Sequence, residues 1–451
     1  MNSPDNPQAA PPGGHVDSYY AATARSLPSL PILEGRAETA VCVIGGGLAG
    51  LTAALELARA GQAVVLLEAE RVGWAASGRN GGFVSASFSE SILKLEERLG
   101  IEHARKLYSL SLDGVSYVRR TIEENGRSDI IGGHGWLKMI RHGDSAALKR
   151  TAERMAQDYG ASYRFVARNE LAQYVSSKRY HGGMLDLSPF HIHPLNYAGL
   201  VAQLAVDAGA RLFEKSKVIA LRREAGTWIV ETVRGTVEAR QVVLAGSAYG
   251  GPSGGLARRV NAAILPVSTY VVTARSARLE EAIRFEGCLG DTRRAGDYYR
   301  IVDGPGGEGR RLLWGGRITT RRSLPPHLGE ELARDIRSVY PQLDDLAIEH
   351  AWAGLMGYAT HKMPLLGDLG DGLWACTAFG GHGLNTTAMG GRLVAQAIAH
   401  DDDQWRLFTP FTLNWGGGLA GRLATQLEYW RLQFLDRIEE ARARRQARFG
   451  G

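Results

Sequence analysis

Cysteine is scarce in this chain. Its 451 residues include three, Cys42, Cys288 and Cys376, too few for a disulfide framework and without metal-ligand spacing. Cys42 and Cys376 fall inside apolar, strand-like runs, so reduced, buried, structural thiols are expected, and no metal site. Long apolar runs are also missing: none reaches the ~20 residues that cross a bilayer. Met1 to Gly14 are rich in Pro, Asn and Gly, with no basic region followed by an apolar one, so a signal peptide is not expected and the location reads as cytoplasmic. There is no basic-aromatic module either. The net charge of +6 comes mostly from arginines spread along the whole chain, so nucleic acid is not an expected partner, and an anionic cofactor or substrate accounts for the balance as well.

Hydrophobic content of 44% and charged content of 22% are ordinary for a globular protein. The length implies two intimately joined domains. What the chain has in plenty is glycine. Its 57 glycines include short groups at Gly45 to Gly50, Gly78 to Gly82 and Gly380 to Gly383, as expected where backbone must approach a ligand without a Cβ in the way.

Ala40 to Ile44 is a continuous apolar run, as in a strand buried on both faces. Gly45-Gly46-Gly47-Leu48-Ala49-Gly50 follows it, Leu51 to Ala60 carries helix formers, and Gly61 is placed to end that helix. A second buried strand, Ala63 to Leu67, ends in Glu68. This is a G-x-G-x-x-G in its proper setting. Gly45 allows the tight turn, Gly47 lets the backbone reach a pyrophosphate, and Gly50 allows close helix–strand packing. Glu68 stands near the ~20-residue offset of an acid that holds a ribose hydroxyl. The expectation is dinucleotide binding at a helix N-terminus.

Two further stretches favour FAD over NAD. Ala75 to Gly82 joins small residues to one guanidinium, and Ser77, Gly78, Arg79, Asn80 and Gly81 are expected to wrap the diphosphate and reach the flavin, with Arg79 neutralising charge. Phe379 to Thr387 joins a buried strand to a long helix. There Gly381, His382, Gly383 and Leu384 can direct N–H groups at a flavin carbonyl. His382 as a plain helix cap is the alternative.

Elsewhere the pattern predicts helix over 91–125, a strand at Trp136 to Arg141, a helix at Leu195 to Gly209 and three strands at 211–221, 227–233 and 237–244. Residues 260–320 read as strand-rich, 327–339 as helix, 373–378 as strand and 383–399 as helix. The fold class expected is α/β with an α+β second domain: a Rossmann-like FAD-binding domain (36–95, 194–250 and 356–402) with an interleaved mixed-sheet substrate domain (96–193 and 251–355). A tail (1–35) and a C-terminal helical segment (403–451) flank them. In that last segment, 421–449 reads as a helix with Leu423, Leu427, Trp430, Phe434 and Ile438 on one face, and with Arg437, Arg442, Arg444, Arg445 and Arg448 on the opposite face and at the end. It either packs its apolar face on the protein or makes peripheral contact with an anionic membrane.

Several ordered motifs carry a resemblance: Ser18-Tyr19-Tyr20, Ser77 to Gly82, His193-Pro194-Leu195-Asn196, Asp297-Tyr298-Tyr299-Arg300, Leu313-Trp314-Gly315-Gly316, Met363-Pro364 and Gly381-His382-Gly383. Over about residues 18–400 the chain resembles the D-amino acid oxidase family of flavoenzymes, which includes glycine and sarcosine oxidases. Within it the likeness is strongest to the branch that oxidises γ-glutamylputrescine. The resemblance implies hydride removal from carbon beside a neutral amine nitrogen, and contact of adenine with the backbone at Val218. Sarcosine oxidases attach flavin through a cysteine just before the Met-Pro region. Gly354 to Tyr358 has none, which implies non-covalent FAD. Glycine oxidases clamp an α-carboxylate with an arginine in that stretch, where this chain has Met356, unless Arg300, Arg317 or Lys362 does that work.

His382 and Lys362 are the candidate catalytic, polarising groups. Tyr298, Arg300 and His361 are the candidate substrate contacts, each with a structural role as the competing reading. The expected function is FAD-dependent oxidation of a secondary amine or derivatised polyamine, with oxygen as acceptor. Two alternatives remain open: a membrane-associated dehydrogenase of a cyclic imino acid such as L-pipecolate that passes electrons to a quinone, and a flavin-binding subunit of a hetero-oligomeric oxidase.

Overall fold

In the computed structural model, the described residues are 14–25, 27–142, 145–250, 255–293 and 296–449, without the side chains of 255, 256 and 443–449. They form two sheets. The first contains Gly35–Ile44 at its centre, parallel to Val64–Leu67 on one side and to Gly235–Leu244 on the other. Arg211–Phe213 extends it in parallel beyond Val64–Leu67, and Leu373–Thr377 beyond Gly235–Leu244. Val64–Leu67 is buried at every position and Gly35–Ile44 over its last five, because helices cover the sheet. Helix Leu48–Arg59 packs against Gly383–His400 and Pro194–Asp207. Apolar residues on consecutive positions are what such a two-sided burial requires.

The second sheet has nine strands, with Tyr298–Asp303 near the middle between Arg310–Thr319 and Cys288–Asp291. One face of it carries a separate core in which Trp314 is fully buried and stacks on Tyr299 at 4.2 Å between centroids. The short strand Phe83–Val84 pairs with Gly182–Ile192, so the loop that follows the nucleotide unit is stitched directly into this sheet. We propose the division at 95/96, 193/194, 250/251 and 355/356 on this basis, with Phe83–Val84 lent to the second sheet.

Three elements differ from the sequence reading. The helix expected over 91–125 is two, Ile92–Leu99 and Ile101–Glu123, broken at Gly100, whose φ of 83° a helix cannot hold. The strand expected at 211–221 is also two, Arg211–Phe213 and Val218–Glu224. Between them the chain turns at Lys215 (φ 50°), while the buried Glu214 carboxylate accepts a hydrogen bond from Val72 N and pairs with Arg71.

The third difference is the last helix, Gly418–Phe449. It rests on the protein, but through its polar side. Gln426 Oε1 accepts from Thr319 Oγ1 and Thr320 N, Arg422 donates to Thr320 O, and Glu440 pairs with Arg141. Of the two readings open for the apolar face, packing on the protein is not what is found: Leu423, Leu427, Trp430 and Phe434 point outward and are exposed, while Ile438 is half-buried. Polar partners, not the apolar stripe, set the seating. The side chains of Arg444, Arg445 and Arg448 lie outside the described residues. No helix among the described residues is long and apolar enough to cross a membrane.

Candidate cofactor and substrate site

A cavity of ≈ 630 Å³ is walled by residues of both sheets. On the nucleotide side the wall begins at the glycine turn. Gly45 has φ 119°, and a Cβ there would lie 2.7 Å from Ala245 O. A Cβ at Gly50 would lie 2.0 Å from Gly45 O, so only glycine lets the helix start this close to its strand. Gly47 caps that helix with no side-chain bond, and the Leu48 amide donates to Ser77 Oγ at 2.9 Å. Glu68 and Val218 border the same cavity. Glu68 Oε1 accepts from Glu70 N. Burial pushes its pKa up to about 7, against the pull of the hydrogen bonds from Glu70 N and Gly46 N.

Ser77, Asn80 and Gly81 line the cavity, whereas Gly78 and Arg79 stand behind its wall. Gly78 serves packing, since a Cβ there would meet Gly73 O at 2.3 Å. Asn80 holds the loop by donating to Ala76 O and Ser77 O and accepting from Gly82 N. Arg79 is 2% exposed, its guanidinium lies 4.0 Å over the Trp74 ring, and Nε donates to Trp74 O. Its Nη1 and Nη2 are buried with no hydrogen-bond partner. A buried cation with idle donors costs free energy unless an anion sits nearby. That cation, together with the glycine turn at a helix N-terminus, fits a dinucleotide diphosphate.

The far wall comes from the second sheet and the Gly380–Leu384 turn. Gly381, His382, Gly383 and Leu384 all line the cavity. Gly380 has φ 63°, and the Gly381 amide donates to Ser89 Oγ at 2.8 Å, which pins the turn. His382 occupies the N-cap position of Gly383–His400 but makes no side-chain cap bond. Its ring leans on Trp136, with centroids 6.4 Å apart. Burial, and then the Lys138 charge, lower its pKa to about 4. Tyr298 lines the cavity and packs edge-on to Phe83. Gly315 explains part of the Leu-Trp-Gly-Gly motif, because a Cβ there would lie 2.0 Å from the Tyr298 ring.

The other sequence-predicted contacts lie outside this wall. Arg300 is buried and donates to Gly81 O, His191 Nδ1, Tyr20 Oη and Ile192 O, so it braces the loop and the N-terminal helix Tyr19–Thr23. Arg317 pairs with Glu331 and Asp335. His361 accepts from Met363 N and meets Thr412 O, which leaves it on the outer side of the Met-Pro turn. Lys362 adopts φ 60° and is within electrostatic reach of Glu428. Met356 does line the cavity. Residues the sequence reading did not single out also line it: Phe83, Trp136, Thr269, Ile318 and Tyr358. Strand register could have found Trp136 only once its neighbours were known, since it faces the cavity opposite Asp186 and Cys288.

Among the described residues, Lys217 is the one Lys or Arg side chain in the cavity wall, next to Val218. Around Phe83, Trp136, Tyr298, Met356, Tyr358 and His382 the wall is aromatic and uncharged. Cys376 also borders the cavity, and burial raises its thiol pKa, which keeps it protonated. The wall therefore forms an extended cleft with a glycine-turn end at Gly45 and Gly47 and an aromatic end at Phe83, Trp136, Tyr298 and Tyr358.

Residues 40–397 match the family described as DAO, FAD dependent oxidoreductase, and the chain belongs to that family: it is an FAD-dependent oxidoreductase of amine or amino-acid donors. The chain is 32% identical to the gamma-glutamylputrescine oxidoreductase of Escherichia coli (strain K12), over 87% of this chain and 91% of that one. It is 30% identical to a probable oxidoreductase, OrdL, of Haemophilus influenzae, over 94% and 98%. In fold it is similar to the glycine oxidase of Geobacillus kaustophilus, with a TM-score of 0.67 and 22% identity over 84% of this chain and 99% of that one.

Proposed function

We propose that this protein oxidises a secondary amine, or the free amine of an acylated polyamine, to an imine, with non-covalently held FAD and with oxygen as the acceptor that leaves as hydrogen peroxide. The observation that carries the reading is the uncharged wall around Met356. An α-amino acid or a cyclic imino acid would bring its carboxylate to a wall that no Lys or Arg lines at Met356, Lys138 acting on this end only from behind His382, and an unpaired buried carboxylate costs several kcal/mol. The relative named for γ-glutamylputrescine supports the same substrate class. The glycine turn at Gly45 and Gly47, the Ser77–Gly81 loop and the Gly381–Leu384 turn around one cavity support an enzyme rather than a flavin-carrying structural subunit.

When bound, FAD supplies the two-electron acceptor for a hydride from the carbon beside the amine nitrogen. The protein's own part is to hold and orient. Gly45, Gly47, Ser77, Asn80 and the charge of Arg79 would hold the diphosphate, and Glu68 the ribose. The turn from Gly381 to Leu384 would meet the flavin ring, with the helix N-terminus favouring negative charge there. Trp136, Phe83 and Tyr298 exclude water and position the alkyl chain of the amine. His382, neutral at physiological pH, is able to accept a hydrogen bond from an amine and does not repel a cationic substrate on entry. Lys362, Arg300 and His361 act through structure in this reading: the first and last shape the Met-Pro turn, and Arg300 braces the Asn80–Gly82 loop. We further propose a cytoplasmic location.

The test is a peroxide-coupled assay of the purified protein with acylated putrescines, N-methyl amino acids, L-pipecolate, glycine and D-alanine. Peroxide formed in step with an acylated polyamine or a secondary amine supports the reading. Turnover confined to L-pipecolate, or reduction of a quinone without peroxide, would replace it.

A further inference from the structure

The last helix presents the side of itself that a soluble protein normally hides. Trp415, Leu419, Leu423, Leu427, Trp430 and Phe434 keep between 53% and 81% of their surface exposed. From Leu419 to Phe434 the stripe is about 22 Å long at 1.5 Å per residue. Its outward aim is fixed from beneath. His142 sits between Asp436 and Glu439, with Nε2 and Nδ1 at 3.2 and 3.0 Å from their carboxylates. Glu440 pairs with Arg141, Arg179 and Arg293. Turning the apolar face inward would break these pairs and strand buried charges.

The same seating segregates charge. Asp436 and Glu439 face His142 and Glu440 faces three arginines of the protein, whereas Arg431, Arg437 and Arg442 are exposed. Glu428 is the exposed acid of the stripe, and Arg431 neutralises it through two hydrogen bonds. Beyond Glu440 the sequence carries four arginines, Arg442, Arg444, Arg445 and Arg448, and no acid. We propose that this outward face docks the protein peripherally on an anionic lipid surface. Leucine, tryptophan and phenylalanine enter the headgroup boundary, and the arginines meet lipid phosphates. A second copy of the chain fits less well, since its own outward face offers the arginine end one acid, Glu428, which Arg431 already holds.

The inference is independent of which amine is oxidised. The experiment uses full-length, flavin-loaded protein with vesicles of phosphatidylglycerol and phosphatidylcholine, or of phosphatidylcholine alone, at low and high salt. The expected result is co-sedimentation with the anionic vesicles at low salt, released by high salt. The triple variant Leu423→Ser, Leu427→Ser, Phe434→Ser should bind at least about tenfold less while it keeps its flavin and its melting temperature. Protein left in the supernatant with anionic vesicles at low salt overturns the proposal. So does a triple variant that sediments like the parent. A parent that is dimeric without lipid and made monomeric by the triple variant assigns the face to a second copy instead, and also overturns it.

Discussion

Glu68 Oε2 accepts a hydrogen bond from the Gly46 amide at 2.6 Å, tying the acid that ends one buried strand to the glycine turn that ends its neighbour. The carboxylate is thereby aimed at the cavity, and burial holds its pKa up at about 7. A ribose hydroxyl donates best to the ionised form. Affinity of the apoprotein for FAD should therefore rise as pH increases from 6 to 8, through that pKa. Titration of apoprotein by flavin fluorescence checks this, and Glu68→Gln should flatten the pH dependence and weaken binding by about tenfold, the equivalent of 1.4 kcal/mol. An unchanged slope in the variant would assign the dependence to another group.

Gly47→Val should abolish flavin retention. A Cβ at Gly47 already lies 3.0 Å from Ser77 Oγ, and the two further methyl groups of valine would occupy the diphosphate's approach. In the parent, acid precipitation should leave all the FAD in the supernatant, because the one cysteine at the cavity, Cys376, is buried and protonated. Flavin that stays with the pellet would point to a bond at Cys376.

How far the sequence carried this site depends on the kind of contact. The placement of Gly45, Gly47 and Glu68 at the cavity was legible because steric rules fix glycine and strand-end positions locally, and the strand-to-helix turn at Gly381 was legible for the same reason. For Arg300 the sequence left substrate contact and a structural role open: four acceptors from Gly81, His191, Tyr20 and Ile192 converge on it, and no local pattern announces such convergence. Trp136 and Phe83 went unseen because their place depends on the pairing of distant strands. The C-terminal helix was found by its period, but its facing was decided by Arg141, His142 and Thr320, which sequence spacing does not reveal.

Met356→Arg should shift specificity toward α-amino acids. A guanidinium in that wall can pair with a carboxylate, and a charge-assisted bond of about 1.5–3 kcal/mol corresponds to roughly tenfold or more in kcat/KM. D-alanine or glycine turnover should rise, and acylated polyamine turnover should fall. Steady-state kinetics on parent and variant decide it, and unchanged α-amino acid turnover would place Met356 away from the substrate's carboxylate.

His382 should contribute no rate limb between pH 5 and 8, since its pKa is lowered to about 4. Within that range kcat/KM should follow deprotonation of the substrate amine and rise with pH. The sign for stability is the opposite of that for a paired cation. Because the folded state holds the imidazole neutral, stability is full above about 6.5 and falls as pH drops toward 4. His193, lowered to about 3 by burial and by Arg300, adds to the same loss. Melting temperatures at pH 7 and 4.5 should show a smaller drop in His382→Gln than in the parent. An ascending limb near pH 6.5 that disappears in this variant would mean that the imidazole titrates normally.

The most direct test of the account is anaerobic rapid mixing of the flavin-loaded protein with substrate, followed by loss of oxidised-flavin absorbance, which does not depend on the acceptor. Reduction by an acylated putrescine should be at least about a hundredfold faster than by glycine or D-alanine, the equivalent of 2.7 kcal/mol or more in the transition state. Equal or faster reduction by glycine or D-alanine would contradict it.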